Sequence, residues 1–508
     1  MPRRVTLLSL VTALFWALVG FAPMAGAAAP VASAATAGTT GPTFLTIPGA
    51  DGTPLSANVM QPTTPGPHPA IVFISSWSLN DVEYIAQEIS LARQGYVVVS
   101  YTPEGFLDSG GQIHVAGPQD VADASSVIDW MLANTSADPD RIGFAGVSYG
   151  AGLSLLAAAH DPRIKAVAAM SAWTDLTYSL YGNQTRHLLA ADLLGFLGQL
   201  TGRPDAQLSQ ALSDLGSDTD IPWVESWAAA RSPDSYLSQL DANHPAVYIA
   251  NAFGDSFFAP DQIVSFFNQY TGPKRLDLAP GDHATVELTG LAGLPNTVWS
   301  NVADWFGSYL NGGSAATTGV NLTTVGGSQQ HYADWAATAT GTDTVNLPAT
   351  SISSGYYTIA NAGIPFLTNG LTQLTGSPSS IWLPLVDRYD AAVWQGPTLS
   401  SGAHIRGVPQ AQFTMTPSAS SGTLVAYLYD VNWLGTATFV THVPYTYLNA
   451  TPGAPLHISL DLNAIAYNVP AGDHLALVVG TKDLLYADAD RTGSTDAFDG
   501  GTLTVPVS

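Results

Sequence analysis

The chain of 508 residues contains no cysteine. That absence excludes a disulfide scaffold, a thiolate zinc site, an iron–sulfur cluster, a cysteine nucleophile and a lipid anchor on an N-terminal cysteine. Positive charge is scarce: 15 Lys+Arg stand against 39 Asp+Glu, a net charge of −24. A surface of that sign repels phosphate backbones, so no nucleic-acid partner is expected. Charged residues of either sign make up 11% of the chain, against about 25% in an average domain. Long apolar runs are confined to the N-terminus, so no other segment is expected to span a bilayer. What is present is aromatic: 12 Trp, 20 Tyr and 17 Phe, which argues for packed cores, and the length suits at least two domains.

Met1-Pro2-Arg3-Arg4 precedes an apolar run from Val5 to about Ala22, and the small-residue sites Ala25-Gly26-Ala27 and Ala32-Ser33-Ala34 follow. This is the layout of a secretory signal peptide, read here as residues 1–27, and it implies an exported protein without stable membrane insertion. The alternative is an uncleaved membrane anchor, because the run is nearly long enough to span.

Two textures follow. Residues 42–310 alternate short apolar strands (Ala70–Ile74, Tyr96–Ser100, Arg141–Ala145, Ala166–Met170, Ala246–Ala250, Lys274–Leu278) with helical stretches. Continuous apolar strands separated by helices indicate an α/β fold with a mostly parallel sheet covered on both faces. Residues 171–245 are mostly helical and longer than a crossover needs, which reads as an inserted helical cap. Residues 311–327 read as an unpacked Gly/Ser/Thr-rich linker. In residues 328–508 the alternating strands Phe413–Thr416, Thr423–Asp430, Thr436–His442, His457–Leu460 and His474–Val479 indicate an all-β jelly-roll or sandwich domain without helical periodicity.

The sharpest local signal is Gly146-Val147-Ser148-Tyr149-Gly150, with a buried strand running in and an Ala/Leu-rich helix running out. A serine there sits on a tight strand-to-helix turn, with helix N–H groups aimed at developing negative charge. A nucleophilic serine needs a base, and the base needs an orienting carboxylate. In chain order after Ser148, His283 is the histidine that follows a strand, in the turn Pro280-Gly281-Asp282-His283. Asp255 follows the preceding strand and is the candidate acid; Asp261 is held in reserve, with a helix-cap role as its plainer reading. Two oxyanion donors are expected: the backbone N–H of Tyr149, and one from Ser76 or Trp77 in the loop after Ala70–Ile74. Cap aromatics Trp173, Tyr178 and Tyr181 are candidate pocket residues, with Trp223 and Trp227 beside them; cap packing is the plainer reading of all five.

The phrase Arg141–Gly150, the loop Gly105-Phe106-Leu107-Asp108-Ser109-Gly110-Gly111 with Asp120 and Trp130 beyond, and the β block around Ala426–Val431 together resemble the α/β-hydrolase superfamily. Within it they are similar to the cocaine-esterase, glutaryl-acylase and Xaa-Pro dipeptidyl-peptidase family with its C-terminal jelly roll. The resemblance implies Ser148 as nucleophile, Asp255 as acid and His283 as base, and hydrolysis of an ester or amide through an acyl-enzyme. Where the esterase branch uses a tyrosine side chain as oxyanion donor, this chain has Ser75-Ser76-Trp77, which favours a backbone donor. The expected function is a secreted serine hydrolase of small-molecule or peptide esters or amides. The alternatives are Xaa-Pro dipeptide release, and a secreted binding protein with an inactive hydrolase domain. No cofactor or metal is expected; Asp488-Ala489-Asp490 with Asp496 and Asp499 reads as an acidic surface turn.

Overall fold

The computed structural model describes residues 38–508, so the export signal read at residues 1–27 lies outside the described residues. Ten strands form one sheet: β1 (Thr43–Pro48), β2 (Pro54–Met60), β3 (His68–Ile74), β4 (Val97–Tyr101), β5 (Ala137–Val147), β6 (Ile164–Met170), β7 (Ala246–Ala252), β8 (Lys274–Ala279), β9 (Gly319–Thr323) and β10 (Gln329–Tyr332). Their order is β1-β2-β4-β3-β5-β6-β7-β8-β9-β10, with every pair from β4 to β9 parallel. The central strands are apolar on both faces because helices cover both: β4 (VVVSY) is buried throughout, as is all of β7. The helix Tyr149–His160 packs so deeply that every residue from Tyr149 to Ala159 is buried, which explains its Ala/Gly/Leu composition. Between β6 and β7 the cap contributes helices from Leu176–Tyr181 through Leu237–Asn243.

The C-terminal domain is a pair of antiparallel sheets, of seven and five strands, packed face to face. Each strand expected there lies inside an observed one: Gln410–Pro417, Gly422–Val431, Thr436–Tyr447, Leu456–Asp461 and His474–Gly480. Alternation is visible in Gln410–Pro417, where every second side chain is buried.

Three expectations need correction. The stretch read as an unpacked linker contains β9, which runs parallel to β8 with Val320 and Leu322 fully buried. Its Gly/Thr/Asn composition hid a strand that buries only two large apolar side chains. β10, placed by the sequence in the β domain, pairs with β9 and extends the hydrolase sheet. The β domain also holds a helix, Leu367–Thr375, which leaves the sandwich and lies against the loops after β7 and β8. Among the described residues no helix is long and apolar enough to cross a membrane.

Candidate active site

The sheet ends its parallel strands on one edge, and the loops there carry Ser148, Asp255 and His283. β5 delivers Ser148 into a turn with φ 56° and ψ −114°, a left-handed conformation costly for a residue with a Cβ. The flanking glycines are required by contact: a Cβ on Gly146 would lie 2.5 Å from the Gly150 carbonyl carbon, and one on Gly150 would lie 1.9 Å from the Ile74 carbonyl oxygen. The G-x-S-x-G pattern is thus the footprint of a backbone crossing under a strained serine.

His283 stands on the loop after β8, with Nε2 2.7 Å from Ser148 Oγ and Nδ1 3.0 Å from Asp255 Oδ2. The other Asp255 oxygen accepts the N–H groups of Phe257 (2.9 Å) and Phe258 (2.8 Å), which locks the carboxylate toward the ring. All three side chains are buried. Burial alone would lower the imidazole pKa, but the charge and hydrogen bond of Asp255, with Asp282 and Glu287 adding to them, hold it above the ordinary histidine value. Phe257 stacks on the imidazole at 4.9 Å between centroids, and Phe258 meets it edge-on at 5.0 Å, so bulk water is kept from the ring. Glu287 lies behind the same loop: it accepts from Ser171 Oγ, which in turn accepts the Ala284 N–H, and burial pushes its carboxyl up to about 8.

On the opposite side of Ser148, the N–H of Tyr149 is the first of the helix and has no carbonyl one turn back in helical register. Its phenol is pinned away from the site: Oη accepts from the Ala116 N–H (2.7 Å) and donates to Asp120 (3.0 Å). Ser76 is corrected as a backbone donor, because its N–H donates to the Glu83 carboxylate at 2.7 Å and its hydroxyl bonds Glu83 and the Val147 carbonyl. A carboxyl seven residues on, in the turn before the helix Ile85–Arg93, was invisible as a competitor in the sequence. Trp77 remains; its indole packs edge-on against Tyr149 and donates to the Leu194 carbonyl.

A narrow cavity of about 70 Å³ opens against Ser148, walled by the cap. Trp173 lines it, its indole donating to the Arg231 carbonyl at 2.8 Å, and Trp227 does too. Tyr178 and Tyr181 do not. In the helix Leu176–Tyr181 the face carrying Leu176 and Leu180 lines the cavity, and residues offset from that face point elsewhere. Tyr178 is half-buried, with Asp261, Asp461 and Asp175 around it, and Tyr181 packs with Leu215 and Ala487 behind the cavity wall. Trp223 stacks near Trp227 without reaching the cavity lining. Asp261 accepts the Ala464 N–H at 2.6 Å and so ties the hydrolase domain to the β domain. Sequence reasoning missed the main wall: Leu208, Leu212 and Leu215, with Leu194 opposite. Their signal was present as leucines four and three apart on the helix Ala206–Ser217. Phe366, which meets Phe257 edge-on at 5.2 Å, carried no local signal.

Residues 51–285 match the family model described as X-Pro dipeptidyl-peptidase (S15 family), and residues 309–506 match the X-Pro dipeptidyl-peptidase C-terminal non-catalytic domain. Among curated proteins, a 2,6-dihydropseudooxynicotine hydrolase from Paenarthrobacter nicotinovorans is 27% identical over 25% of this chain and 35% of its own length. A polyketide transferase from Penicillium crustosum is 23% identical over 42% of this chain and 78% of its own length. The chain thus spans about a third of the length of the first of these relatives. Among solved structures, an α-amino acid ester hydrolase superposes with a TM-score of 0.70 at 16% identity, covering 96% of this chain and all of that one. A CocE/NonD family hydrolase from Staphylococcus aureus superposes with a TM-score of 0.69 at 13% identity, covering 92% and 93%. At such identities the superpositions establish a shared two-domain fold.

Proposed function

We propose that this chain, which belongs to the X-Pro dipeptidyl-peptidase S15 family of α/β-hydrolases, cleaves esters of neutral, apolar acyl groups with Ser148 as nucleophile, His283 as base and Asp255 as the orienting acid. His283 Nε2 takes the Ser148 proton as Oγ attacks the carbonyl carbon. The N–H groups of Tyr149 and Trp77 receive the oxyanion, and the imidazolium, steadied by Asp255, returns the proton to the leaving alcohol. Water activated by the same imidazole then frees the acid and Ser148.

The observation that carries the substrate class is the cavity wall, which holds no carboxylate, ammonium or guanidinium side chain. A substrate with a free N-terminal ammonium would lose its hydration there and find no counter-charge. A neutral acyl chain loses nothing, which favours the ester reading over Xaa-Pro dipeptide release. Residues 1–27 support action outside the cytoplasm.

The test is covalent labelling of the purified protein with a fluorophosphonate, followed by rates on p-nitrophenyl butyrate and Gly-Pro-p-nitroanilide. Labelling at Ser148 with ester turnover at least about 100-fold above the anilide in kcat/KM is expected. An anilide rate equal to the ester rate overturns the substrate class. Absence of labelling in folded protein overturns the enzyme mechanism and leaves a binding protein.

A further inference from the structure

His283 has three carboxyls around its loop, Asp255, Asp282 and Glu287, and of these Asp255 hydrogen-bonds the ring. Asp282, its neighbour in the chain, points the other way. Asp282 is fully buried, and both its oxygens are occupied by donors from separate parts of the fold. Oδ1 accepts the His283 N–H at 2.7 Å and the Ser256 N–H at 2.9 Å, joining the loop that carries the base to the loop that carries Asp255. Oδ2 accepts the Phe366 N–H at 2.9 Å, with Asn369 Nδ2 at 3.5 Å, and both residues belong to the C-terminal β domain. Asn369 also donates to the Gly254 carbonyl at 2.8 Å, and Gln373 to the Thr285 carbonyl at 3.3 Å. The fit is close: a Cβ on Gly254 would lie 2.5 Å from Asn369 Cγ. One helical segment of the β domain therefore grips the acid loop and the base loop together, with Asp282 at the centre.

Resting on the reading of Ser148, Asp255 and His283 as the reactive set, we propose that Asp282 is a positioning residue through which the C-terminal domain sets the distance between base and nucleophile. The C-terminal domain then contributes to the rate without supplying a group to the chemistry. Misplacing a catalytic group by about 1 Å costs on the order of 100-fold in rate, so a lock of this kind is felt in kcat before it is felt in binding.

Titratable groups facing Asp282 are Asp255 on the acid loop and His283 on its own loop, with Glu287 beyond the same imidazole. The β-domain segment meets it with N–H donors alone among the contacts described. Burial, then the Asp255 charge, raise the Asp282 carboxyl to about 6. A proton on Asp282 turns one acceptor into a donor and breaks the four-way grip. The acid limb of the rate therefore contains two protonations, His283 first and Asp282 below it.

The experiment compares Asp282→Asn and Asn369→Ala with the wild type, with folding checked by circular dichroism. Steady-state rates are measured on p-nitrophenyl butyrate from pH 5 to 8, with fluorophosphonate labelling at Ser148. Asp282→Asn is expected to lower kcat by about 100-fold with KM changed less than about twofold. Below about pH 6 the wild-type log kcat falls toward a slope of 2 per pH unit, and the variant falls with a slope of 1. Asn369→Ala, half-buried and expected to fold, lowers kcat by about fivefold and slows labelling in the same direction. If Asp282→Asn does not fold, Asn369→Ala decides alone. Wild-type kcat with an unchanged acid limb in the folded variants overturns the proposal. A wild type that labels nowhere overturns the reactive set itself, a different result from labelling that is equal in all three proteins.

Discussion

The two walls around Ser148 are built from opposite materials. Behind the imidazole stand three buried carboxyls, Asp255, Asp282 and Glu287, each tied into backbone N–H groups or a serine hydroxyl. Across from it stand leucines and tryptophans of the cap, with no charged side chain. A buried carboxyl is held by donors or kept protonated, because an unpaired charge out of water is costly. On the proposed reading of Ser148, Asp255 and His283, the first wall serves the reaction and the second is free to follow the substrate. Changes on the two walls should give different kinetic signatures.

The largest effect is expected from the group between them. Ser148→Ala should lower turnover by about 10⁴-fold or more with thermal stability near that of the wild type; residual hydrolysis at wild-type rate breaks the whole comparison. On the carboxyl wall, Asp255→Asn should lower kcat by about 10³- to 10⁴-fold. It should also move the acid limb to lower pH, since Asp255 is the main group holding the imidazole above its ordinary value against the pull of burial. An acid limb that stays in place shows that another group sets it.

On the apolar wall, Leu212→Ala should leave kcat on a short ester within about threefold and shift preference toward longer acyl chains by about tenfold. A chain-length profile identical to the wild type removes the cavity from the specificity argument. Trp173→Ala is a poorer probe: the ring is 2% exposed and hydrogen-bonded, so its loss should also cost about 3–5 kcal/mol of stability.

The smallest expected effect is on stability against pH. Glu287, Glu88, Asp234, Asp261 and Asp490 are each pushed up to about 8 by burial, so their protons bind more tightly in the folded chain than in the unfolded one. Their contribution is complete below the ordinary carboxyl pKa and is lost as pH rises through about 8. The melting temperature should accordingly drop between pH 6 and 9, and a flat or rising profile contradicts this.

How far the sequence disclosed this arrangement follows from the range of each contact. Gly146 and Gly150 were legible because the close approaches they permit lie within a few residues of the elbow or on the adjacent strand. The meeting of Ser148, Asp255 and His283 was readable because each of their loops follows a buried strand, two of them marked by continuous apolar runs. Tyr178 and Tyr181 misled because aromatic character does not say which side of a short helix faces the cavity. Phe366 and Asn369 were silent because their partners at the site lie more than eighty residues away and no local periodicity reports such a meeting.

β9 follows β8 in space but belongs, by sequence, to the segment matching the C-terminal family model. The boundary between the two halves of the gene product therefore runs through a ladder of hydrogen bonds. A fragment ending near Leu310 would leave β8 as a bare edge, with a row of unanswered amides and carbonyls on a strand that is buried in the intact protein. Such an edge recruits other chains, so the isolated hydrolase half should precipitate or pair with itself. For expression, and for recombination between relatives, the two halves are one unit of inheritance.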